Sequence, residues 1–415
     1  MLIYYFKKHY YYTIRLILVA KKIFNREIKL KFGVPKRIDI VVYNSDSMNQ
    51  LQYVLEKKNY IIIDLTIYKL KEIFISFELI TEIFSNLLTK NLTNNYFYSI
   101  LRIIKPKIVL TACDNHKDFF QIAKLLDRDI KFIAIQNANR IDFWRNDYNF
   151  KKKITNDNYN KEFYIPHYYC FGQSDVDNCK YYDINIKNFY KIGSINTSNF
   201  FYYLSKSKKK LIKNKFDICL ISEPALGIND SFKKNNIEQG FGLLAEYTIK
   251  FARKFNCNFI FASKRFKHHD YYGKTLYEAE MNFYKKYLKK SDFDYLIKNT
   301  YPKENYFSSY YAIFESKVAI AAQSTLLRDK ISTGEKILSC NLTKFKLNDF
   351  PLKGICEINN CSYEKFEKRL TKVLNISIDE YFKKNDNDRK YLIEFKGKFK
   401  AIEVVKRDID KILRT

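Results

Sequence analysis

The sequence predicts an α/β protein made of two halves, each a parallel sheet with helices on its faces. Two observations predict this fold class. Short runs of Val, Ile, Leu and Phe alternate with amphipathic stretches of helix length, and the alternation restarts after the Lys-rich residues 206–215. Strands that are apolar throughout are buried on both faces, as in sheets covered by helices. With 10 Gly and 6 Pro among 415 residues, collagen-like and linker-rich architectures are excluded.

The first half begins at residue 37, where β-branched apolar residues predict a buried strand. Four runs of this kind occur before residue 140, at Arg37–Tyr43, Tyr60–Leu65, Lys107–Thr111 and Lys131–Ile135. Ser47 follows a polar turn, and we expect it to cap a helix that continues to Lys58. A second helix is expected after Asp114-Asn115-His116, ending near Leu126.

The second half repeats this pattern after residues 206–215, a charge run expected to be an exposed linker. Its predicted strands are Phe216–Ser222, Asn258–Ser263, Lys317–Ala321 and Lys336–Ser339. Helices are predicted at Glu238–Phe255 and Ser324–Thr333, and the tail from Tyr363 to Thr415 is mostly helical. We therefore divide the chain into a basic aromatic segment (1–36), a first domain (37–200), a second domain (201–377) and a C-terminal helical tail (378–415).

The N-terminal segment mixes aromatic rings with cations, as in Tyr4-Tyr5-Phe6-Lys7-Lys8. Such a mixture suits a membrane interface, and a core-packing helix with a basic outer face is the alternative. No apolar run approaches the ~18 residues of a spanning helix, and the features of a secretory signal are missing. We expect a cytoplasmic protein, with peripheral attachment to the inner face of the cytoplasmic membrane left open.

The formal charge of +29 indicates an anionic partner only weakly, because Lys, Asn, Ile, Tyr and Phe share AT-rich codons. No nucleic-acid-binding module is recognisable, so nucleic acid is not expected as a partner. The eight Cys form no CxxC pair, and the adjacent His268 and His269 are expected at the surface. The five Asp-x-Asp pairs follow no convincing buried strand. We expect no required metal or cofactor.

The most informative segment runs from Lys317 to Ser339, where a buried strand ends in Gln323-Ser324-Thr325 and a helix begins at once. A helix N-terminus presents free N–H groups and partial positive charge, so this is an anion site suited to a diphosphate. Asp329 follows about one helical turn later, where it could accept hydrogen bonds from ribose hydroxyls. The alternative is that Ser324 is a plain N-cap.

These residues resemble the donor-site signature of GT-B glycosyltransferases of the bacterial surface-carbohydrate group, whose usual run is Ser-Thr-Leu-Gly-x-Glu-x-x-x-x-Gly-Lys-Lys. Ser324, Thr325 and Leu326 match that run. The departures are Leu327 for Gly, Asp329 for Glu and Glu335 for Lys. Two further stretches resemble runs of the same group: Gln136-Asn137-Ala138-Asn139-Arg140, with Ala138 for Gly, and Phe171-Gly172 followed by Lys191-Ile192-Gly193-Ser194.

The resemblance implies two Rossmann-like domains that face each other across a cleft, with the acceptor on the first domain and the nucleotide sugar on the second. It also implies a C-terminal helix that crosses back to the first domain. Ligands of open α/β sheets lie beyond the carboxyl ends of the strands. On the donor side these ends carry Ser222, Glu223, Ser263, Lys264, Arg265, Gln323, Ser324, Thr325 and Asp329; on the acceptor side they carry Asn115, Gln136, Asn137 and Arg140.

Roles for these residues follow from the chemistry of glycosyl transfer. An inverting enzyme needs a general base for the acceptor hydroxyl, and Asp114 and His116 are the candidates. The alternative for Asp114 is capping of the following helix. Lys264 and Arg265 could neutralise the leaving phosphate without a metal, or they could be solvated surface charges.

We therefore predict a glycosyltransferase that moves a sugar from a nucleotide-sugar donor to a surface polysaccharide or lipopolysaccharide acceptor. The partners are the nucleotide sugar and a glycan or glycolipid, with an anionic membrane surface left open. Two alternatives remain. One is a sugar-nucleotide epimerase or polyol-phosphate transferase on the same fold, and the other is a non-catalytic nucleotide-sugar-binding or scaffold protein.

Overall fold

The computed structural model describes residues 21–65, 70, 72–85, 92–140, 164–224, 236–266, 271–383 and 386–414. Residues 1–20 of the N-terminal segment and the pair His268-His269 lie outside the described residues, so the expectations for them stay predictions. No helix within the described ranges is long and apolar enough to cross a membrane.

The first lobe, as we name it, contains a six-stranded parallel sheet in the order β3-β2-β5-β6-β7-β8, and a separate two-stranded sheet pairs β1 with β4. Its strands are β1 Lys29–Phe32, β2 Ile40–Tyr43, β3 Ile61–Ile63, β4 Glu72–Ile75, β5 Ile108–Thr111, β6 Lys131–Ile135, β7 Tyr164–Cys170 and β8 Asn185–Lys191. Its helices are α1 Met48–Leu51, α2 Phe77–Ser85, α3 Leu92–Ile104, α4 Lys117–Leu126, α5 Gln173–Tyr181 and α6 Ile195–Lys206.

The second lobe contains a five-stranded parallel sheet in the order β10-β9-β11-β12-β13. Its strands are β9 Phe216–Ile221, β10 Phe259–Ala262, β11 Ser316–Ala321, β12 Ile337–Asn341 and β13 Glu357–Asn359. Its helices are α7 Ile237–Lys254, α8 Tyr271–Tyr287, α9 Lys290–Lys298, α10 Ser308–Phe314, α11 Thr325–Ser332 and α12 Tyr363–Asn375. The C-terminal helices are α13 Ile378–Phe382, α14 Asp386–Leu392 and α15 Lys400–Arg414.

Parallel sheets with helices on both faces confirm the predicted α/β fold class. The central strands β2 and β5 are buried at every residue, as their unbroken apolar runs predict. Alternate residues of β2 belong to different cores: Val41 packs on one face of the first sheet and Ile40 on the other. Burial on both faces explains why these strands show no polar alternation.

Several elements differ from the expectation. The helix predicted from Ser47 to Lys58 is only the short α1, and Ser47 does not cap it. Its hydroxyl instead donates to the backbone oxygen of Tyr43 at 3.0 Å, next to the Thr111 hydroxyl. The strands β7 and β8 were not predicted. β8 lies at the edge of the sheet and is exposed or half-buried throughout, so it lacks the apolar run of a central strand.

The two lobes are joined by α6 and by the C-terminal chain. Ile195 of α6 packs in a first-lobe core, whereas Phe200 and Phe201 of the same helix pack in the second-lobe core. Helix α15 then packs against the first lobe: Ala401, Ile402, Val405 and Ile409 share a core with β2 and β5. The C-terminal helix thus crosses back to the first lobe.

Candidate functional site

The carboxyl ends of the two sheets meet at a contact between the loop after β6 and the loop after β11. The backbone N–H of Asn139 donates to the Thr325 hydroxyl at 3.2 Å, and its side-chain amide donates to Gln323 Oε1 at 3.5 Å. We call the region around this contact the interlobe cleft. It is the position where open α/β sheets bind their ligands.

A group of three cations lies at the carboxyl end of β10, and we call Lys264, Arg265 and Lys303 the cation cluster. Glu280 of α8 positions the first two, because its carboxylate accepts hydrogen bonds from the backbone N–H of Lys264 at 2.7 Å and of Arg265 at 2.9 Å. The Lys303 ammonium donates to Ser263 O and to Ser309 Oγ, each at 2.7 Å. The loop after β10 is therefore held from both sides.

Burial gives this cluster unusual titration properties. Glu280 is fully buried, and desolvation raises its pKa despite hydrogen bonds from Ser222 and the two backbone N–H groups. Burial lowers the pKa of Lys303 to about 8; the Glu280 carboxylate opposes this change, and the like charges of Arg265 and Lys264 add to it. A lysine with this pKa is mostly charged at neutral pH, and an anion beside it would stabilise the charged form.

Glu223 connects the cation cluster to the start of α11. Its carboxylate accepts hydrogen bonds from the backbone N–H of Ala322 at 2.6 Å and of Gln323 at 3.3 Å. Burial raises the pKa of Glu223, while these two hydrogen bonds and the charge of Lys264 lower it. Glu223 therefore occupies backbone donors just before the helix, where an incoming phosphate would compete with it.

The hydroxyls at the start of α11 have partners of their own. Ser324 accepts a hydrogen bond from the N–H of Leu326 at 3.4 Å, so it caps the helix as the plainer alternative predicts. Thr325 accepts from Asn139, which leaves its own O–H proton available for donation. Gln323 donates to Asn348 Oδ1 at 2.6 Å. This helix start still offers positive backbone dipoles, but its side chains also bind the first lobe.

Asp329 does not suit the ribose contact expected of it, because its side chain is fully buried. The Tyr310 hydroxyl donates to Asp329 Oδ2 at 2.7 Å. Burial raises the pKa of Asp329 to about 6, with hydrogen bonds from Tyr310, Ser194 and Thr197 opposing the shift. A helix packed on all sides, rather than on one face, puts this carboxylate in the interior.

On the first-lobe side, Asp114 is fully buried and both of its oxygens are engaged. Arg140 donates to Oδ1 through Nε at 2.9 Å and Nη2 at 2.6 Å, and the Tyr168 hydroxyl donates to Oδ2 at 2.8 Å. Burial disfavours the charge of Arg140, but Asp114 outweighs this effect and raises the pKa of Arg140. This geometry favours a positioning role for Asp114, which holds Arg140 in place, over the predicted role of general base.

The other acceptor-side residues divide into buried and accessible ones. Gln136 is buried; its amide donates to Asp175 Oδ1 at 2.8 Å and its oxygen accepts from the Phe171 N–H at 3.0 Å. Asn137 accepts from Arg140. Asn115 is exposed, and His116 is half-buried at the N-terminus of α4, with its ring 5.7 Å from that of Tyr43. His116 is therefore the better placed of the two candidate bases.

Two residues of the site were missed by the sequence analysis, Glu280 and Lys303. Glu280 lies in a helix that also carries Glu278, Lys285 and Lys286, so composition hides it among surface charges. Lys303 follows Pro302 in a loop without a motif. The described residues contain no group of three or more His, Cys, Asp or Glu side chains that could hold a metal ion.

Comparison with known proteins gives similarity of structure only. No protein-family model matches the chain, and no curated protein matches it. Among solved structures, a UDP-GlcNAc 2-epimerase from Methanocaldococcus jannaschii aligns with 90% of this chain and 99% of its own, at 12% identity and TM-score 0.48. A glycosyltransferase from Rickettsia africae aligns with 92% of this chain and 100% of its own, at 12% identity and TM-score 0.45. The wall teichoic acid polymerase TagF aligns with 97% of this chain and 97% of its own, at 10% identity and TM-score 0.45. None of these similarities identifies a site residue of this chain.

Proposed function

We propose that the protein is a glycosyltransferase that moves a sugar from a nucleotide-sugar donor to a surface polysaccharide or lipopolysaccharide acceptor. The observation that supports this most is the cation cluster beside the start of α11. Among the residues that the structure describes, the buried Nε of Arg265 has no hydrogen-bond partner. An unpaired guanidinium N–H at the carboxyl end of a sheet fits a diphosphate oxygen.

In the proposed reaction, the acceptor oxygen forms a bond to the anomeric carbon as the bond from that carbon to the diphosphate breaks. The acceptor proton goes to a base on the first lobe, for which His116 is the candidate. The negative charge of the departing nucleoside diphosphate is stabilised by Lys264, Arg265 and Lys303. Arg140, held by Asp114, and Asn137 lie on the acceptor side.

A binding protein without turnover is the second candidate, and a specific observation favours it. Glu223 occupies the backbone donors ahead of α11, and Asn139 of the first lobe bonds to Thr325 and Gln323 of the second. Both contacts use groups that a donor substrate would need. An enzyme must break these contacts when the donor substrate binds, whereas a scaffold protein can keep them.

The donor site is tested by calorimetric titration with UDP, GDP, CDP, CMP and ADP, with and without Mg²⁺. We expect selective binding of one nucleotide that Arg265→Ala weakens by about 1.5–3 kcal/mol, the cost of a lost hydrogen bond to a charged group. The control is Arg253→Ala on α7, which removes an ion pair with Asp292 and a cation–π contact with Tyr295 in the second lobe. Equal affinity in the two folded variants would rule out the assigned donor site.

Turnover distinguishes the remaining candidates. Nucleotide release that depends on an added glycan acceptor supports the transferase, and loss of that release in His116→Ala with unchanged nucleotide affinity supports His116 as the base. Interconversion of sugar nucleotides without acceptor indicates an epimerase. Nucleotide binding without either reaction leaves the scaffold.

We further propose peripheral attachment to the inner face of the cytoplasmic membrane. Four large side chains near the N-terminal segment are mostly exposed, Phe24 at 88%, Phe32 at 85%, Phe77 at 86% and Phe84 at 71%. Exposed aromatic rings beside Lys29 and Lys31 match the composition of an interfacial surface. Sedimentation with anionic liposomes at low and high salt, comparing the full chain with Phe32→Ser/Phe77→Ser, tests this attachment. Equal sedimentation of both proteins would contradict it.

A further inference from the structure

A cavity of about 660 Å³ lies between the first-lobe sheet and helix α15. None of the residues assigned to the donor or acceptor side lines it. Its floor is one face of three adjacent strands, because Ile133 of β6 pairs with His167 of β7, and Tyr169 of β7 pairs with Tyr190 of β8. Its volume falls within the range of small-molecule sites, roughly 300–1,000 Å³.

The floor of this cavity is apolar and aromatic. Tyr169 and Tyr190 stack with ring centroids 4.5 Å apart and planes 14° apart, and the Tyr190 hydroxyl bonds to His167 Nδ1 at 2.9 Å. Aliphatic side chains from the sheet and from α15 complete the floor, namely Ile133, Ile192, Val404 and Ile412. The transfer of a ring or a hydrocarbon chain from water to a surface of this kind is favourable.

The rim is strongly basic. Six cations line the cavity, and Asp408 is the one acid among the lining residues; the cations are Lys131, Lys191, Lys396, Lys400, Arg407 and Lys411. Four of the six are already paired with acids, Lys396 and Lys191 with Glu394 at 2.7 and 4.0 Å, Lys400 with Glu403 at 3.9 Å and Arg407 with Asp408 at 3.0 Å. The acid, Asp408, is already engaged: the Tyr169 hydroxyl donates to one of its oxygens at 3.0 Å and Arg407 donates to the other at 3.0 Å. Lys131 and Lys411 form no ion pair with any residue that the structure describes.

We propose that this cavity binds a phosphorylated amphiphile, a ligand in which a phosphate is joined to an apolar group. The apolar group lies on the Tyr190 side of the floor, and the phosphate meets the lysines of the rim. A phosphate alone would leave the apolar floor in water, and a neutral apolar ligand would leave Lys131 and Lys411 without a counter-charge. This proposal does not depend on the donor site or on its chemistry.

Soluble probes separate the two parts of the ligand. Dihexanoyl phosphatidic acid, used below its critical micelle concentration, carries both; inorganic pyrophosphate carries only the charge, and dihexanoyl phosphatidylcholine has the chains without net charge. We expect calorimetry on the full chain to show one site for the phosphatidic acid and much weaker binding of the other two. Equal affinity for pyrophosphate would overturn the proposal, because the apolar floor would then contribute nothing.

Two variants locate the binding in this cavity. Lys131→Gln/Lys411→Gln removes two rim charges, and the matched control Lys285→Gln/Lys290→Gln removes two exposed charges from the second lobe. We expect roughly tenfold weaker binding in the first variant alone, as for the loss of two partly solvated charge contacts. Val404→Trp leaves the charge unchanged and fills part of the cavity, so we expect it to abolish binding. Undiminished binding in folded Val404→Trp would overturn the proposal, since diffuse attraction to a basic surface would explain the affinity.

Discussion

Lys303 owes its properties to its surroundings rather than to its type. Its ammonium is held by Ser263 O and Ser309 Oγ near two other cations and the buried Glu280, and burial lowers its pKa to about 8. The group is therefore charged at neutral pH but loses its proton under mildly basic conditions. An unperturbed lysine, with a pKa near 10.4, would stay charged there.

We therefore predict that affinity for the nucleoside diphosphate falls as pH rises from about 7.5 to 9. In Lys303→Arg the cation persists at all these pH values, because guanidinium is not deprotonated in proteins. Titration calorimetry of both proteins across this range measures the difference. Parallel pH profiles would show that Lys303 does not contact the phosphates.

The raised pKa of Asp329 predicts that the stability of the protein depends on pH. Its pKa of about 6 in the folded chain exceeds the ordinary value near 3.9, so the native state holds this proton more tightly than the unfolded chain does. The free energy of unfolding should therefore fall as pH rises from about 4 to 6 and level off above, with this residue contributing on the order of 3 kcal/mol. Urea unfolding at several pH values measures it.

The comparison protein for Asp329 is Asp329→Asn, which cannot titrate and keeps an acceptor for the Tyr310 hydroxyl. In this variant, the free energy of unfolding should lack the part of its decline with pH that Asp329 causes. The carboxyl groups of Glu223 and Glu280, whose pKa values are also raised, contribute equally to both proteins. Identical slopes between pH 4 and 6 would assign the decline to those other groups.

Helix α11 is buried although its charged residues are typical of an exposed helix. Arg328, Asp329 and Lys330 are consecutive, and such a run normally marks an exposed face. All three are buried because each points to a different neighbour. Arg328 faces Asp175 of the first lobe, Asp329 bonds to Tyr310, and Lys330 donates to Ile313 O and Ser316 O at 2.6 and 2.8 Å. The short helix is enclosed by sheet, first lobe and C-terminal chain.

The turn that follows β8 requires a glycine. Gly193 has a φ of +78°, and a Cβ at this position would lie 2.1 Å from the backbone oxygen of Glu394. We expect Gly193→Ala to destabilise the protein by about 2–5 kcal/mol, the sum of a left-handed conformation and a steric clash with backbone. Thermal or urea unfolding measures the loss.

Gly334 is the matched control for Gly193. Its φ is +85°, and the atom nearest its Cβ position is Arg389 Nη1 at 3.4 Å, the end of a flexible side chain, so Gly334→Ala has a similar conformational cost without the clash with backbone. If the two substitutions lower the free energy of unfolding by the same amount, the close approach of the chain at residue 394 does not constrain the turn.

At the scale of the whole molecule, the lobes are connected by a buried ion pair. Arg328 Nη1 lies 3.8 Å from Asp175 Oδ1, and their side chains are 2% and 9% exposed. Burial lowers the pKa of Arg328 and raises that of Asp175, with each charge partly compensating the other. Removal of one partner leaves an uncompensated charge in the interior.

We predict that Arg328→Met costs about 3–5 kcal/mol and that the double variant Arg328→Met/Asp175→Asn costs less than the sum of the two single variants. Asparagine keeps an acceptor for Gln136. The same cycle at the exposed pair Lys31–Glu72, 2.7 Å apart with side chains 47% and 40% exposed, should give less than about 1 kcal/mol of coupling. Additive effects at Arg328 and Asp175 in urea unfolding would contradict a coupling between the lobes.

The sequence by itself determined the α/β class, the buried strands β2, β5 and β6 of the first sheet, and the helix that Ser324 caps; it did not predict β7, which lies between β6 and β8. These features depend on local information, since an unbroken apolar run such as Ile40–Tyr43 or Ile108–Thr111 must be buried wherever it lies. The edge strand β8 escaped this reasoning because an edge needs no apolar run. Ser222, Ser263 and Gln323 do follow the carboxyl ends of β9, β10 and β11, and the roles of all donor and acceptor candidates remain predictions.

Only the tertiary structure decided which of those candidates are accessible. Asp114 and Asp329 are buried by residues distant in sequence, Arg140 and Tyr168 for the first and Tyr310 for the second. Glu280 and Lys303 join the site from a helix and a loop that carry no motif. Burial and charge compensation arise between segments that the fold brings together, and so the accessibility and pKa of a side chain cannot be inferred from its neighbours along the chain.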